Sequence, residues 1–142
     1  MRVTTKGRYA LRALTKLAMI NSDRPVPIKK IAAEEEISPE LLEQLFVRIK
    51  QAGIISSVRG PGGGFRLNLH PSEITAKAIF DAVGEGLSLT PCETCERREV
   101  CHMRPTWQKI TNHINDYFAR LTLQDILDTP AEIEGSSSPL AV

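Results

Sequence analysis

The sequence predicts a mainly α-helical fold with one small β-hairpin and a long helix towards the C-terminal end. Three observations support this prediction. Apolar residues recur at steps of three and four in several stretches, a glycine-rich segment joins two short β-prone runs, and a heptad-like pattern follows Pro105. At 142 residues, with 42% apolar and 25% charged residues, the chain has the size of one domain with its own core.

Charge is distributed unevenly along the chain. Residues 1–70 contain twelve Lys or Arg against six Asp or Glu, a net charge of +6, whereas residues 71–142 contain six against eleven, which gives −5. A basic first half favours contact with a polyanion, and an ordinary solvated basic surface is the alternative.

The sequence also argues against several classes of protein. No apolar run approaches the ~20 residues of a membrane span, and Arg8, Arg12 and Lys16 interrupt any secretory signal. We therefore expect a cytoplasmic protein without a membrane partner. We do not expect an enzyme, because G-x-S-x-G and H-E-x-x-H do not occur and the histidines have no nucleophile at catalytic spacing. His70 and His113 are expected to be structural or solvent-facing.

The first predicted helix covers residues 5–20. Ala10, Leu14 and Leu17 lie on one stripe, and basic residues recur every four positions on another stripe, which indicates an amphipathic helix with a basic edge.

Two further helices predict a helix-turn-helix. The shorter helix follows Pro27, and the next begins with Ser38 as N-cap and Pro39 at its first position. It is expected to run to Ala52 and to stop at Gly53, a left-handed cap. Two helices joined by a short turn are typical of this motif.

The second of these helices has the features of a recognition helix. Its predicted outward face carries Glu40, Glu43, Gln44, Val47 and Gln51. A carboxylate accepts from cytosine N4 and a carboxamide pairs twice with adenine, so these side chains suit the major groove of DNA. A merely solvent-exposed polar face is the alternative.

A β-hairpin follows directly, with predicted strands at 54–58 and 65–69. A hairpin after a recognition helix is a wing, and Arg59 at its tip is placed to enter a narrow minor groove. Residues 1–70 are thus predicted to be a winged helix-turn-helix DNA-binding region. A phosphate-binding loop is disfavoured, since no Gly-Lys-Ser/Thr and no helix directly follow the glycines.

The rest of the chain contains a helix near 75–83 and then a long helix after Pro105, whose apolar residues stand at a/d spacing. We interpret residues 104–130 as a dimerisation helix with a short terminal helix. A chain with one DNA-binding domain needs a second copy of itself to contact two successive major grooves. An ordinary core-facing helix is the alternative. Residues 131–142 are predicted to be a disordered tail. The a/d positions are Trp107, Ile110, Ile114, Tyr117 and Leu121.

The segment 71–103 is predicted to be a linking helix and a cysteine loop. Cys92, Cys95 and Cys101 have the spacing C-x2-C-x5-C and are followed by His102. The charged residues between the cysteines argue against a packing role for them, and the odd number of cysteines argues against a disulfide framework. Thiolates suit zinc or an iron-sulfur cluster; spacing alone slightly favours zinc, and a metal-free redox thiol is a third possibility.

Four stretches together resemble the Rrf-two family of winged-helix transcription regulators. They are MRVTTKGRYA at the start, LEQLF at 42–46, VRGPGGGF at 58–65, and the three cysteines before Trp107. The resemblance covers residues 1–127 and is strongest to the iron-sulfur cluster regulators of the family.

This resemblance implies a homodimeric repressor on a double-stranded DNA operator, with a cysteine-bound iron-sulfur cluster whose state controls operator binding. It favours a 2Fe-2S cluster over a 4Fe-4S cluster, and it favours either cluster over zinc. Glu43 and Gln44 correspond to base-reading residues and Arg59 to the minor-groove arginine; Glu40, Lys6 and Arg8 complete the predicted DNA-binding set. A nitric-oxide or redox sensor of the same family and a zinc-stabilised winged-helix module for DNA binding or interaction are the alternatives.

The chain departs from the cluster regulators at the metal site. Its cysteines are more closely spaced, and Arg104 stands where that branch has a histidine ligand. Some nitric-oxide sensors use an acid from the partner's first helix, and Arg8 occupies that position here. In the recognition helix, Glu40 replaces a serine, so operator preference is open. The fourth ligand also stays open, with His102 the nearest candidate and Glu93, Glu96 and Glu99 as weaker ones.

Overall fold

A computed structural model describes residues 3–130 and confirms the predicted mainly α-helical fold with a β-hairpin wing. The predicted tail at 131–142 lies outside the described residues. No helix within 3–130 is long and apolar enough to cross a membrane. The elements are α1 (Thr5–Ile20), α2 (Ile28–Glu35), α3 (Pro39–Gln51), β1 (Ile55–Val58), β2 (Gly64–Leu67), one 3-10 turn (Pro71–Glu73), α4 (Ala76–Ala82), α5 (Arg104–Arg120) and α6 (Leu123–Asp128).

The hydrophobic core is built around α1, which packs on α2, α3, α4 and α6. Its predicted apolar stripe is buried, with Ala10, Leu14 and Leu17 almost fully removed from water. Phe46 of α3 and Phe80 of α4 are the largest fully buried side chains. Burial of this apolar surface is the main force that holds these helices together.

The start and end of α3 agree with the sequence prediction. The Ser38 hydroxyl oxygen accepts from the backbone N–H of Leu41, and Pro39 occupies the first turn. The helix ends before Gly53, whose φ is +79°. Because α3 buries one whole face, its opposite face is fixed towards solvent.

The wing is a two-stranded antiparallel sheet in which Ile55 lies opposite Leu67. Phe65 exchanges two backbone hydrogen bonds of 2.8 Å with Val26. The loop before α2 therefore forms an isolated β-bridge with the other edge of β2. Gly64 has φ +152°, and a Cβ there would lie 2.3 Å from the Val26 carbonyl oxygen. Only glycine fits this crossing of backbone on backbone.

Helix α5 packs more loosely than the core helices. The Phe80 and Phe118 rings join α4 to α5 with centroids 5.2 Å apart, yet no residue of α5 is buried. His70 caps the 3-10 turn by accepting from the Ser72 N–H, and His113 is exposed, as expected. Residues 84–103, here called the cysteine loop, contain only turns and irregular chain.

Candidate nucleic-acid interface and cysteine loop

The outward face of α3 presents the predicted base-reading residues. Glu43 and Gln44 are both exposed there, together with Val47. Glu40 is exposed too, but its carboxylate accepts a 2.8 Å hydrogen bond from the Ser38 hydroxyl. This bond, with a backbone hydrogen bond, lowers the pKa of Glu40. Glu40 is thus held against the start of the helix, whereas Glu43 and Gln44 project freely.

Two basic side chains near the end of α3 contact other parts of the protein. The Arg48 guanidinium donates to the Val83 carbonyl oxygen at 3.2 Å, and the Lys50 ammonium donates to the Ser57 hydroxyl at 2.6 Å. The first contact ties α3 to α4, and the second ties α3 to the wing. Both contacts fix the recognition helix within the domain.

The tip of the wing carries Arg59. This residue is exposed and follows β1 directly, and the turn closes where the Gly63 N–H donates to the Gly60 carbonyl oxygen at 2.9 Å. At the base of the wing, the Phe65 ring meets the Phe46 ring edge-on at 5.0 Å. The wing and α3 therefore form one packed unit that presents Glu43, Gln44 and Arg59.

The basic edge of α1 is partly neutralised inside the protein. Arg12 pairs with Glu35 at 3.3 Å, and Lys16 pairs with Glu34 at 3.0 Å, so both contact the acidic end of α2. Sequence periodicity identified the basic stripe and did not reveal these partners. Of that stripe, Arg8 has no ion pair within residues 3–130.

Lys6 and Arg8 are exposed near the start of α1. Among residues 3–130, no hydrogen bond or ion pair joins either of them to the outward face of α3 or to the wing tip. Glu43, Gln44 and Arg59 lie on α3 and on the wing, which pack together, whereas Lys6 and Arg8 lie on α1.

The start of α1 is bound by Glu85, a contact that the sequence analysis missed. The Thr4 N–H donates to the Glu85 carboxylate at 2.9 Å, and the Thr4 hydroxyl donates to its other oxygen. Glu85 is only 7% exposed. Burial raises the pKa of Glu85, but hydrogen bonds from Thr4 and Gly7 and the charge of Lys6 outweigh it, so the net pKa is lowered.

The same stretch of the cysteine loop is also bound to α5. The Asn115 side-chain amide donates to the Leu87 carbonyl oxygen at 3.0 Å. The chain that leads into the cysteines is therefore held on one side by α1 and on the other by α5.

The cysteines lie in a series of turns. The backbone N–H of Cys95 donates to the carbonyl oxygen of Cys92 at 3.4 Å, that of Arg98 to Cys95 at 3.1 Å, and that of Arg104 to Cys101 at 3.3 Å. The last of these turns leads directly into α5. A rearrangement around Cys101 would therefore act on the first turn of that helix.

The three thiols have different surroundings. Cys92 is half-buried with its sulfur 2.8 Å from the Thr90 hydroxyl, Cys101 is half-buried, and Cys95 and His102 are exposed. Within residues 3–130, no three His, Cys, Asp or Glu side chains converge in an arrangement that could hold a metal ion. The predicted ligands share one loop, and their ligation stays a prediction; metal sites commonly assemble only as the metal binds.

Arginines brace this loop. Arg98 donates to the Glu93 carbonyl oxygen at 3.1 Å and pairs with Glu99 at 3.1 Å. Arg104 approaches the Glu93 carboxylate at 4.0 Å, and its Nε is buried with no hydrogen-bond partner among the described residues. Soft thiolate donors, neighbouring positive charge and a free buried N–H fit an anionic, sulfur-rich centre.

The predicted dimer stripe of α5 remains partly exposed. Ile110 is 38% exposed and Tyr117 is 58% exposed. Phe118, outside the stripe, packs on α4 instead. Trp107, Ile114 and Leu121 of the stripe are half-buried, so only its Ile110 and Tyr117 edge is open to solvent.

Comparison with known proteins gives the same family from sequence and from structure. A family model described as Rrf2, iron-dependent transcriptional regulator, matches residues 3–129. The HTH-type transcriptional regulator IscR of Pectobacterium atrosepticum is 36% identical over 131 residues, covering 90% of this chain and 80% of that protein.

Two solved structures agree. T. potens IscR has a TM-score of 0.74 at 31% identity, covering 89% of this chain and 86% of its own. CymR, the global cysteine regulator of B. subtilis, has a TM-score of 0.75 at 31% identity, covering 89% and 95%. The chain therefore belongs to the Rrf2 (Rrf-two) family of DNA-binding winged-helix transcription regulators, and is not an enzyme.

Proposed function

We propose that this protein is a homodimeric repressor whose operator binding is controlled by an iron-sulfur cluster held by Cys92, Cys95 and Cys101. One observation carries the proposal. All three cysteines lie on a loop whose first residues are hydrogen-bonded to α1 through Glu85 and to α5 through Asn115. A change in this loop would therefore act at once on the DNA-binding half and on the predicted dimer helix.

The chemistry of the loop supports a cluster. Thiolates are the usual ligands of iron-sulfur centres, and the bound cluster would supply reversible redox and ligand-exchange chemistry. His102 is the nearest candidate for a fourth ligand. Arg98 and Arg104 already have Glu99 and Glu93 as partners, and Arg97, which has no ion pair within residues 3–130, would offset part of the charge of the thiolates. We favour a 2Fe-2S cluster, as the family resemblance implies, over a 4Fe-4S cluster or zinc. A cytoplasmic location would keep the thiols reduced.

The exposed stripe of α5 supports the homodimer. Partly exposed apolar side chains at a/d spacing are typical of a helix that pairs with another helix. A second copy would cover Ile110 and Tyr117, and the pair would place two recognition helices in successive major grooves, about 34 Å apart. In that complex Glu43 and Gln44 would face base edges, Arg59 the minor groove, and Lys6 and Arg8 the phosphates.

The test is anoxic purification followed by a visible absorption spectrum with iron and acid-labile sulfide counts. We expect coloured protein with equal amounts of iron and sulfide, and operator binding that differs between cluster-loaded and cluster-free protein. Cys92→Ala, Cys95→Ala and Cys101→Ala should lose the colour and the difference in binding while remaining folded dimers. Val100→Ala shortens a side chain of the same loop that is 65% exposed, and it should behave as the parent does.

Other outcomes point elsewhere. Zinc without sulfide would replace the sensor with a zinc-stabilised winged-helix module. Loss of the cluster on exposure to nitric oxide, but not on exposure to oxygen or on iron depletion, would identify the protein as a nitric-oxide sensor. Cysteine variants that respond as the parent does would refute cluster sensing altogether.

A further inference from the structure

One apolar side chain interrupts the polar outward face of α3. Val47 is 55% exposed and stands one turn after Glu43 and Gln44 on the same side of the helix. The opposite face of α3 is buried, so Val47 is held towards solvent and does not rotate into the core. Within residues 3–130, more than half of its surface stays open to solvent.

Its neighbours on the helix are engaged elsewhere. Glu40 is bonded to Ser38 at the start of the same helix, Arg48 to Val83 and Lys50 to Ser57. The freely presented surface of α3 is therefore formed mainly by Glu43, Gln44, Val47 and, one turn further on, Gln51, and Val47 is the one apolar residue of the four. An apolar group thus lies directly beside the two polar side chains expected to meet base edges.

The chemistry of the major groove provides an apolar partner. The thymine 5-methyl group is the apolar feature that distinguishes one base pair from another there, and small apolar side chains pack on it. We propose that Val47 contacts a thymine methyl group and so determines specificity at one base pair in each half-site. The proposal rests on DNA binding through α3 and not on the cluster.

The expected effect is small and measurable. Burial of one methyl group is equivalent to about a fourfold change in affinity, from ~0.8 kcal/mol per group and 1.4 kcal/mol per tenfold. Replacement of that thymine by deoxyuridine removes only the methyl group and leaves every hydrogen-bonding edge intact. The substitution therefore isolates this contact.

The experiment begins with selection of preferred duplexes from a random pool by the full-length protein, in cluster-loaded and in cluster-free form. Each thymine of the selected duplex is then replaced singly by deoxyuridine, and affinity is measured by fluorescence anisotropy at one salt concentration. The parent should show one thymine per half-site where the replacement weakens binding about fourfold. In Val47→Ala the Kd of the deoxyuridine duplex, divided by that of the thymine duplex, should fall towards one. Val47→Thr keeps a methyl group and should retain most of the parent's ratio.

Met19→Ala is the matched control, because Met19 is an exposed apolar residue, 63% exposed, that lies on α1. It should keep the parent's ratio at every thymine. Equal ratios in the parent and Val47→Ala at all positions would overturn the proposal while leaving the sensor model intact. If neither the cluster-loaded nor the cluster-free protein selects any duplex, both the Val47 contact and the sensor model are overturned. If the two forms select the same duplexes with the same affinity, only cluster control is overturned.

Discussion

Replacement of Glu85 by glutamine should destabilise the protein by about 2 kcal/mol. Glu85 lies just below the surface where the cysteine loop begins, and its carboxylate accepts hydrogen bonds from the start of α1. Glutamine has nearly the same shape, but it has no charge and only one acceptor oxygen. The amide oxygen can still accept from the Thr4 N–H, but the other position becomes an N–H donor, so the charged bond from the Thr4 hydroxyl is lost and that hydroxyl must turn to accept instead.

The magnitude follows from these contacts. A hydrogen bond to a charged group contributes about 1.5–3 kcal/mol, and an anion at a helix N-terminus about 0.3–1 kcal/mol. Because Glu85 is close to solvent, we take the low end of each range and count one lost charged bond, which gives roughly 2 kcal/mol. For a chain of this size the melting temperature should fall by about 6 °C.

The pH dependence of this contribution has a defined sign. Hydrogen bonds from Thr4 and Gly7 and the charge of Lys6 outweigh the effect of burial, so the folded-state pKa of Glu85 is lowered. A lowered folded-state pKa gives stability that is fully present above the unfolded pKa of about 4.3 and is lost as the pH falls through the folded value. The difference between parent and Glu85→Gln should therefore shrink below about pH 4.

Urea unfolding of the cluster-free protein, followed by circular dichroism between pH 7 and pH 3.5, measures both quantities. Glu36→Gln is the control, because Glu36 is exposed and has no side-chain hydrogen bond or ion pair within residues 3–130. Equal stability of Glu85→Gln and Glu36→Gln at pH 7 would show that the Glu85 carboxylate adds no stability. A loss that persists unchanged at pH 3.5 would show that the charge of Glu85 is not responsible.

Three further substitutions test the dimer stripe, the wing and the DNA contact. Ile110→Asp should give a monomer in size-exclusion chromatography with light scattering, because a charge in an apolar interface is costly; a persistent dimer would place the interface elsewhere. Gly64→Ala should lower the free energy of unfolding in urea by at least ~2 kcal/mol, since its Cβ would lie 2.3 Å from the Val26 carbonyl oxygen; unchanged stability would contradict this close crossing. Arg59→Ala should weaken operator binding about tenfold and reduce the salt slope by about one, whereas Arg120→Ala should change neither.

Local chemistry made much of the fold predictable from sequence. Ser38 followed by Pro39 marks a helix start, and the glycines between Val58 and Phe65 mark a tight hairpin, because each feature depends on a few adjacent residues. The structure confirms both. The DNA-contact and ligand roles of Glu43, Gln44, Arg59 and the cysteines stay predictions, since a helix face or a spacing identifies a surface and not its ligand.

Contacts between residues that are far apart in the sequence were not predictable in this way. Thr4 and Glu85 are 81 residues apart, and Arg12 pairs with Glu35 across two helices. Periodicity shows that a charged residue is outward and gives no information about which distant residue it meets. Glu40 was likewise identified as exposed, and only the structure shows its carboxylate bound to Ser38.

The Glu85 contact is strong enough to transmit the proposed signal. A change of 1.4 kcal/mol in binding free energy shifts operator affinity tenfold. The contact contributes about 2 kcal/mol by the argument above, so a loop rearrangement that broke it in only one cluster state would exceed that requirement. A ligand shifts such an equilibrium only through differential contacts, and the bonds of Glu85 to Thr4 are contacts of that kind at the start of α1. Glu85→Gln should therefore narrow the difference in operator affinity between cluster-loaded and cluster-free protein without removing the cluster.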